Sequence, residues 1–183
     1  MHRCDWATSE LLIEYHDTEW GVFTLDEVLH FEQICLSGFQ AGLSWEIVLK
    51  KRAFLREAFA GFVPEKVARF DESMIARIAR DARGIRNVRK VRSVVNNARA
   101  FLELTSNHGS FPEFVLDFLG GAVRTSHHRS WSEVPSSTAE SEALSKLLRG
   151  HGFTFFGPTI AYAYLQSVGF VNDHIISCFR RDR

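Results

Sequence analysis

The sequence predicts an all-α fold. Helix-start signals recur along the whole chain, the apolar residues between them follow helical spacing, and no segment shows sustained strand alternation or an internal repeat. Of the 183 residues, 45% are hydrophobic and 24% are charged, which is an ordinary globular composition. We therefore expect one compact helical domain over residues 1–183, long enough to bury a substantial core.

Short polar residues and a proline mark the first helix starts. Thr24 and Glu27 have capping-box spacing and open a helix that runs toward Phe39. Ser44 can cap the next helix, and Pro64 suits the first turn of a short one. The N-terminal third is therefore predicted to consist of separate helices joined by short turns.

The remaining helices are predicted from similar signals. Asp71 can cap a helix that ends before Gly84, and a long helix follows whose inward side carries Val91, Val94, Val95, Ala98 and Leu102. Later starts and stops are given by Ser110 with Pro112 and Gly120, Ser137 with Glu140, Pro158 with Gly169, and Asp173 for a last short helix. The stretch 120–136 has no helical pattern, and an irregular segment of this length is usually functional or mobile.

Charge and composition exclude several classes of protein. The 22 Lys and Arg balance the 22 Asp and Glu, so a DNA partner would have to meet a local basic face. No stretch approaches the ~18 apolar residues of a membrane span, and the first ten residues lack the apolar run of a signal peptide. Three cysteines are too few for a secreted disulfide framework. We expect a cytoplasmic protein with reduced thiols and no membrane partner.

Cysteine and histidine residues near the two chain ends form a candidate metal site. His174 and Cys178 lie four residues apart in the predicted last helix, which places both on one face. With Cys4 and His16 they make a ligand set typical of a closed tetrahedral site. In the alternative interpretation, Cys178 is a small core residue and the histidines are surface groups. Cys35 lies in mid-helix and is predicted to be a buried apolar residue.

Residues 77–92 carry an arginine at every third position, with Asp81 as the only acid among them. The pattern predicts a helix, a tight turn at Gly84 and a second helix, over about residues 72–97. Backbone N–H groups at the start of the second helix would face out of the turn, where phosphate is their natural ligand. In a protein of zero net charge this local excess favours binding to the DNA backbone; the alternative is a solvated charged face.

Two aromatic segments also stand out, YHDTEWGV at residues 15–22 and CLSGFQAGLSW at residues 35–45. In the second segment, Gly42 and Leu43 lie at the junction of two predicted helices. The junction can present Leu43 to solvent as a wedge. In the alternative, it is an ordinary tight turn with Leu43 buried.

Taken together, the motifs resemble one known family. RCDW near the start, YHDTEWGV, QAGLSW, the Arg-Gly-Ile-Arg turn, STAESEALSK and VNDHIISC are similar, in the same order, to motifs of the 3-methyladenine DNA glycosylase I family. The resemblance extends from Arg3 to Cys178. It implies a compact helix-hairpin-helix DNA glycosylase fold, double-stranded DNA containing alkylated bases as partner, and one structural zinc ion that joins the termini through Cys4, His16, His174 and Cys178.

The resemblance also implies roles for individual residues. The base pocket would be lined by Trp6, Tyr15 and Trp45. Gly42 and Leu43 would enter the DNA where the base leaves, and the phosphate backbone would be held by the turn that contains Gly84, Arg86 and Lys90.

The chemistry of such an enzyme is simple. The glycosidic bond cannot be reached inside the base stack, so the nucleotide is rotated into a pocket. Adenine methylated at N3 is cationic, and desolvated aromatic faces favour a cation by ~1–2 kcal/mol. Because the cationic base is already a good leaving group, binding and positioning supply much of the catalysis, and water completes the hydrolysis. No lysine is identified as a Schiff-base nucleophile, so we expect a monofunctional enzyme.

This chain departs from the family pattern at two places. Ser37 stands where the family has a pocket glutamate, and losing a charge-assisted hydrogen bond costs ~1.5–3 kcal/mol. Glu46 and Glu14 are alternative carboxylates, but each is expected to face away from the pocket. In the basic turn the family has glycine where Arg83 stands, so the glycine is displaced by one position to Gly84.

No catalytic residue is assigned in this chain. Three hypotheses about its activity follow from the presence of Ser37. The protein excises 3-methyladenine weakly, excises a different lesion, or binds damaged DNA without cutting it. A zinc-stabilised module for another small ligand is a further class, but it leaves the arginines unexplained. We expect the protein to act as a monomer at the bacterial nucleoid.

Overall fold

The computed structural model describes residues 1–182 and is mainly helical, which confirms the predicted fold class. The helices are α1 (Glu10–Thr18), α2 (Glu27–Gln40), α3 (Trp45–Ala58), α4 (Pro64–Val67), α5 (Glu72–Arg80), α6 (Val88–His108), α7 (Phe111–Phe118), α8 (Ala139–Gly150) and α9 (Pro158–Ser167). Single 3-10 turns occupy Ala60–Phe62 and Trp131–Glu133. Within these residues no helix combines the length and apolarity that crossing a membrane requires.

Most helix starts agree with the sequence, and α2 is a correction. Ser44 and Asp71 cap α3 and α5 as predicted, each accepting a hydrogen bond from the backbone of the first turn. For α2 the N-cap is Asp26, whose Oδ1 accepts from the N–H of Leu29 at 2.8 Å. The Thr24 hydroxyl instead accepts from the N–H of Asp26 at 3.1 Å. Asp is at least as good a cap as Thr, and the helix therefore starts after Asp26.

Helix α8 starts one residue later than the Ser137–Glu140 pattern predicts. Thr138 is its N-cap, and a reciprocal capping box joins Thr138 to Ser141. The Thr138 side chain accepts from the N–H of Ser141 at 3.2 Å, and the Ser141 hydroxyl accepts from the N–H of Thr138 at 2.9 Å. A serine hydroxyl thus replaces the glutamate of the predicted box.

The predicted last helix is absent from the described residues. Instead, β2 (Val171–Asn172) pairs in parallel with β1 (Arg124–Thr125), which lies inside the irregular 120–136 segment. After β2 the Asn172 side chain accepts from the N–H of His174, and the N–H of Cys178 donates to the carbonyl of Ile175 at 2.8 Å. These local bonds hold the segment in turns, so His174 and Cys178 are adjacent without sharing a helix face.

Two hydrophobic clusters form the described core. The larger one lies between α2, α6, α8 and α9 and contains most of the fully buried phenylalanines, among them Phe31, Phe39, Phe59, Phe62, Phe101, Phe111, Phe156 and Phe170. The smaller one surrounds α1 and the segment that follows β2. Trp45 packs against both clusters. The phenylalanines therefore fill the larger cluster, whereas the tryptophans gather at the smaller one.

The turn between α5 and α6 depends on its glycine. Gly84 is buried, and a Cβ at this position would lie 2.6 Å from Cε1 of Phe54. Asn87 then caps α6 by accepting from the N–H groups of Arg89 and Lys90. Phe54 thus explains a glycine at position 84 in this chain.

Candidate functional site

All four tryptophans of the chain line one open cavity of about 330 Å³. Its wall is formed by Trp6, Leu12, Trp20, Ser37, Gln40, Ser44, Trp45, Glu46, Trp131, Ala163 and Gln166. The Trp6 ring is central to the aromatic part, with ring centroids 5.1 Å from Trp20 and 6.0 Å from Trp131. A planar, electron-poor molecule is the guest that such a wall suits.

The predicted pocket residues are brought together here. Trp6, Ser37 and Trp45 line the cavity. Tyr15 lies behind this wall; it is buried, and its ring centroid is 5.4 Å from that of Trp45. Burial raises the pKa of Tyr15 far above its ordinary value, so the phenol stays neutral.

Trp20 and Trp131 were not among the predicted pocket residues. Trp20 lies inside the YHDTEWGV segment, so its motif was a usable signal. Trp131 belongs to the irregular 120–136 segment and packs near Trp20, with ring centroids 5.9 Å apart. No local pattern marks Trp131, because its role depends on a contact across more than a hundred residues.

The carboxylates around the cavity differ from expectation in one respect. Ser37 is only 1% exposed and presents a hydroxyl from α2. Glu46 was expected to face away, yet it lines the cavity because it lies in the first turn of α3, directly after Trp45. Its Oε1 is 2.9 Å from Nζ of Lys50, and this pairing lowers the pKa of Glu46. Glu14 is exposed, as expected.

The predicted metal ligands form one buried cluster. Cys4, His16, His174 and Cys178 each offer a ligand atom, and these atoms all lie within 4.8 Å of one another. Cys178 Sγ is 3.4 Å from His16 Nε2 and 3.4 Å from His174 Nδ1. Cys4 Sγ is 3.6 Å from His174 Nδ1. The group can hold a metal ion.

Hydrogen bonds orient both imidazoles toward the centre of this cluster. His16 Nδ1 pairs with Asp17 Oδ1 at 2.8 Å, which leaves Nε2 facing the sulfur atoms. His174 Nε2 lies 3.2 Å from the carbonyl of Trp20, which leaves Nδ1 facing them. Arg3 holds Asp17 through Nε and the guanidinium NH2 group. Burial lowers the pKa of His174 to about 4, so its ring is neutral and has a lone pair for a metal.

The cluster also supports the aromatic wall of the cavity. The His174 ring centroid is 4.6 Å from that of Trp20, and the His16 centroid is 5.3 Å from that of Trp6. Both tryptophans line the cavity. Anything that fixes the two imidazoles therefore fixes two walls of the pocket.

The loop between α2 and α3 forms one rim of the cavity. Leu43 is 36% exposed at its tip, and Gly42 adopts a positive φ of 75° with open space around its Cα. Ser44 and Trp45 follow directly and line the cavity. Leu43 is therefore presented to solvent beside the pocket, rather than buried in the turn.

Lys90 does not occupy the position predicted for a phosphate contact. It is buried, and its Nζ donates to the carbonyl oxygens of Phe39 at 2.9 Å and Ala41 at 2.5 Å. Burial lowers its pKa. The ammonium instead satisfies carbonyls at the end of α2 that no helical N–H can reach.

The arginines of the 77–92 stretch fall into two groups. Arg83 pairs with Asp81 at 2.9 Å and lies over the Phe54 ring, while Arg92 pairs with Glu72 at 2.6 Å. The remaining members are exposed, namely Arg77, Arg80, Arg86 and Arg89. The second group includes the two arginines nearest the start of α6.

Comparison with known proteins identifies the family. The model of the methyladenine glycosylase family matches residues 6–181. DNA-3-methyladenine glycosylase 1 of Escherichia coli is 45% identical over 179 residues, covering 97% of this chain and 96% of that protein. The Haemophilus influenzae DNA-3-methyladenine glycosylase is 40% identical over 177 residues, covering 96% of each.

Solved structures agree. A crystal structure of 3-methyladenine DNA glycosylase I has a TM-score of 0.95 at 43% identity, covering 98% of this chain and 100% of that one. A variant of such an enzyme in complex with 3-methyladenine has a TM-score of 0.96 at 29% identity, covering 100% and 99%. The sequence match and the fold therefore agree over nearly the whole chain, which belongs to the methyladenine glycosylase family.

Proposed function

We propose that this protein removes 3-methyladenine from double-stranded DNA by hydrolysing the glycosidic bond of a base rotated out of the helix. The observation that carries the proposal is the cavity lined by all four tryptophans, which opens beside the exposed Leu43. The family relationship supplies the substrate class. The activity is that of a monofunctional hydrolase acting in base-excision repair.

The cavity suits a cationic base. The faces of Trp6 and Trp45 provide negative quadrupole potential in a partly desolvated space, and Glu46 adds a carboxylate at the wall. The alkylated base leaves readily because the electrons of the breaking bond neutralise its charge, so recognition of the cation selects a base that is already a good leaving group. Trp131 and Trp20 complete the aromatic part of the cavity wall.

The DNA would be held on the face that carries Leu43. Leu43 fills the space left by the rotated nucleotide, and Gly42 allows the turn that exposes it. We propose that α5, the turn 81–87 and α6 act as the helix-hairpin-helix unit, with backbone N–H groups beyond Gly84 and the exposed Arg86 binding phosphates. Lys90 acts indirectly, since it joins the start of α6 to the loop that carries Leu43.

We propose zinc as the ion of the Cys4, His16, His174 and Cys178 cluster. Zinc bonds of about 2.3 Å to sulfur and 2.1 Å to nitrogen, in tetrahedral geometry, separate the two ligand types by about 3.6 Å. The sulfur–nitrogen distances of 3.4 to 3.6 Å in the cluster fit that value. Four protein ligands leave no open position, so the ion would supply structural cross-linking and no reaction step.

Base release from methylated duplex DNA tests the proposal. Free 3-methyladenine is quantified after incubation with the wild type and with Trp45→Ala. We expect release by the wild type and a loss of about five- to 150-fold in the variant, since stacking on an aromatic ring is worth about 1–3 kcal/mol. Absence of release by well-folded wild type at any enzyme excess would contradict the proposed activity.

Ser37 favours one second candidate, a relative that binds a flipped base without excising 3-methyladenine. The same experiment separates the two, because that protein would retain methylated DNA in a binding assay while releasing no base. We further propose that the protein acts as a cytoplasmic monomer comprising a single domain.

A further inference from the structure

The amide of Gln166 is held in one orientation at the cavity wall. Gln166 lies near the end of α9, is 7% exposed and lines the cavity. Its Nε2 donates to Oδ2 of Asp173 at 2.6 Å. Its main-chain carbonyl accepts from the N–H of Gly21 at 3.1 Å, just after Trp20. Both the backbone and the side chain of Gln166 are thus fixed relative to the aromatic wall.

Asp173 decides which end of the amide faces it. The Asp173 side chain is buried, and the same Oδ2 also accepts a hydrogen bond from the hydroxyl of Tyr162. Because Oδ2 acts as an acceptor in both contacts, it pairs with the NH2 end of the Gln166 amide. The carbonyl Oε1 of Gln166 is consequently turned away from Asp173.

Within the described part of the chain, that oxygen is an acceptor without a hydrogen-bond donor, on a residue that lines the cavity. Among residues 1–182 no group donates a hydrogen bond to Gln166 Oε1. This oxygen is also absent from the side-chain atoms that are buried from solvent without a partner. The position from which the family's glutamate would accept hydrogen bonds is occupied by Ser37, on the wall of the same cavity. An extruded base therefore meets a neutral amide acceptor here.

We propose that Gln166 Oε1 accepts a hydrogen bond from the exocyclic amine of the extruded adenine, with Asp173 as the positioning residue. The inference rests on the proposed function and adds the basis of base selection. Adenine presents an amine at C6, whereas guanine presents a carbonyl there, and a carbonyl facing Oε1 pairs acceptor with acceptor. A fixed acceptor thus selects alkylated adenine over alkylated guanine.

The test compares full-length wild type with Gln166→Met, which keeps the length of the side chain but has no acceptor. Single-turnover release of 3-methyladenine and 3-methylguanine is measured from the same methylated DNA. Titration of free 3-methyladenine against tryptophan fluorescence gives a second readout, because every tryptophan lines the cavity. We expect Gln166→Met to lose about tenfold in adenine release and in free-base affinity, and to discriminate less between the two bases.

Asp173→Asn tests the positioning role. An asparagine can donate its own NH2, so the Gln166 amide is free to turn over, and the discrimination should fall while the bound metal content stays the same. Tyr162→Phe leaves the carboxylate in place and should keep the ratio of the two rates. If wild type releases 3-methyladenine but Gln166→Met retains the wild-type ratio and affinity, the inference is overturned and the proposed function stands. Release of neither base by wild type would overturn the proposed function. The fluorescence titration would still show whether Gln166 contributes to the affinity for 3-methyladenine.

Discussion

Lys90 donates a hydrogen bond from Nζ to the carbonyl oxygen of Ala41, one residue before Gly42. This contact ties the start of α6 to the loop between α2 and α3, across 49 residues of sequence. The start of α6 and the loop that carries Leu43 are therefore in direct contact. This contact supports the proposal that the two motifs engage the same stretch of DNA.

Lys90 and Arg86 should respond differently to substitution. Lys90→Met leaves the carbonyls of Phe39 and Ala41 without their donor, so we expect a lower Tm together with slower base release. Arg86→Gln removes an exposed charge, so we expect an unchanged Tm and a salt-dependence slope of DNA binding reduced by about one. Thermal melting and binding at several salt concentrations measure both. If Lys90→Met instead keeps the wild-type Tm and reduces the salt-dependence slope of DNA binding by about one, Lys90 contacts a phosphate, as the family resemblance implies.

Leu43→Gly should weaken the retention of extruded DNA without unfolding the protein. Leu43 is exposed and contributes little to the core, so the Tm should stay near that of wild type. We expect a roughly tenfold loss in single-turnover base release, since burying a leucine in the DNA stack is worth about 1.5–3 kcal/mol. Leu25→Gly is the matched control, the same substitution at an exposed leucine that does not line the cavity. If Leu43→Gly lowers the free energy of unfolding by as much as the free energy of DNA binding, Leu43 is part of the core.

Ser37→Glu should increase the release of 3-methyladenine. The new carboxylate would accept a charge-assisted hydrogen bond from the cationic base, worth about 1.5–3 kcal/mol, which is at least about tenfold in rate. The matched control is Ser37→Gln, which has the same size without the charge and should gain much less. The measurement is single-turnover release at saturating enzyme. If the wild type already releases 3-methyladenine as fast as Ser37→Glu, the missing carboxylate does not limit the rate.

Removing the metal should cost stability first. Cys178→Ser should lose about one zinc per chain by elemental analysis and lower the Tm by more than about 5 °C. Cys35→Ala is the control, a buried cysteine outside the cluster, and should keep its zinc. Base release should fall only as a consequence, through unfolding and through a less ordered pocket wall at Trp6 and Trp20. If metal-free protein keeps its Tm but releases no base, the metal instead takes part in the reaction.

Part of the site could be read from the sequence. Residue type and spacing marked Cys4, His16, His174 and Cys178, whose ligand atoms lie within 4.8 Å of one another. The family resemblance supplied Trp6 and Trp45, which line the cavity, and the exposed Leu43 matches one of the two alternatives left open. Helix starts at Ser44 and Asp71 are confirmed because a cap acts within one turn of its own position. Where two good caps were neighbours, as with Thr24 and Asp26, the sequence pattern chose the wrong one.

The sequence by itself determined the residue types that the site uses, because metal ligands, helix caps and aromatic motifs are recognised from residue type and short-range spacing. The tertiary structure alone decided where they act. It turned Lys90 inward to a carbonyl, placed Trp131 and Glu46 on the pocket wall, and fixed the amide of Gln166 against Asp173. For Lys90 and Gln166 the reason is that buried polar groups must find partners inside the protein. For Trp131 the reason is contact between distant parts of the chain, which local sequence patterns do not record.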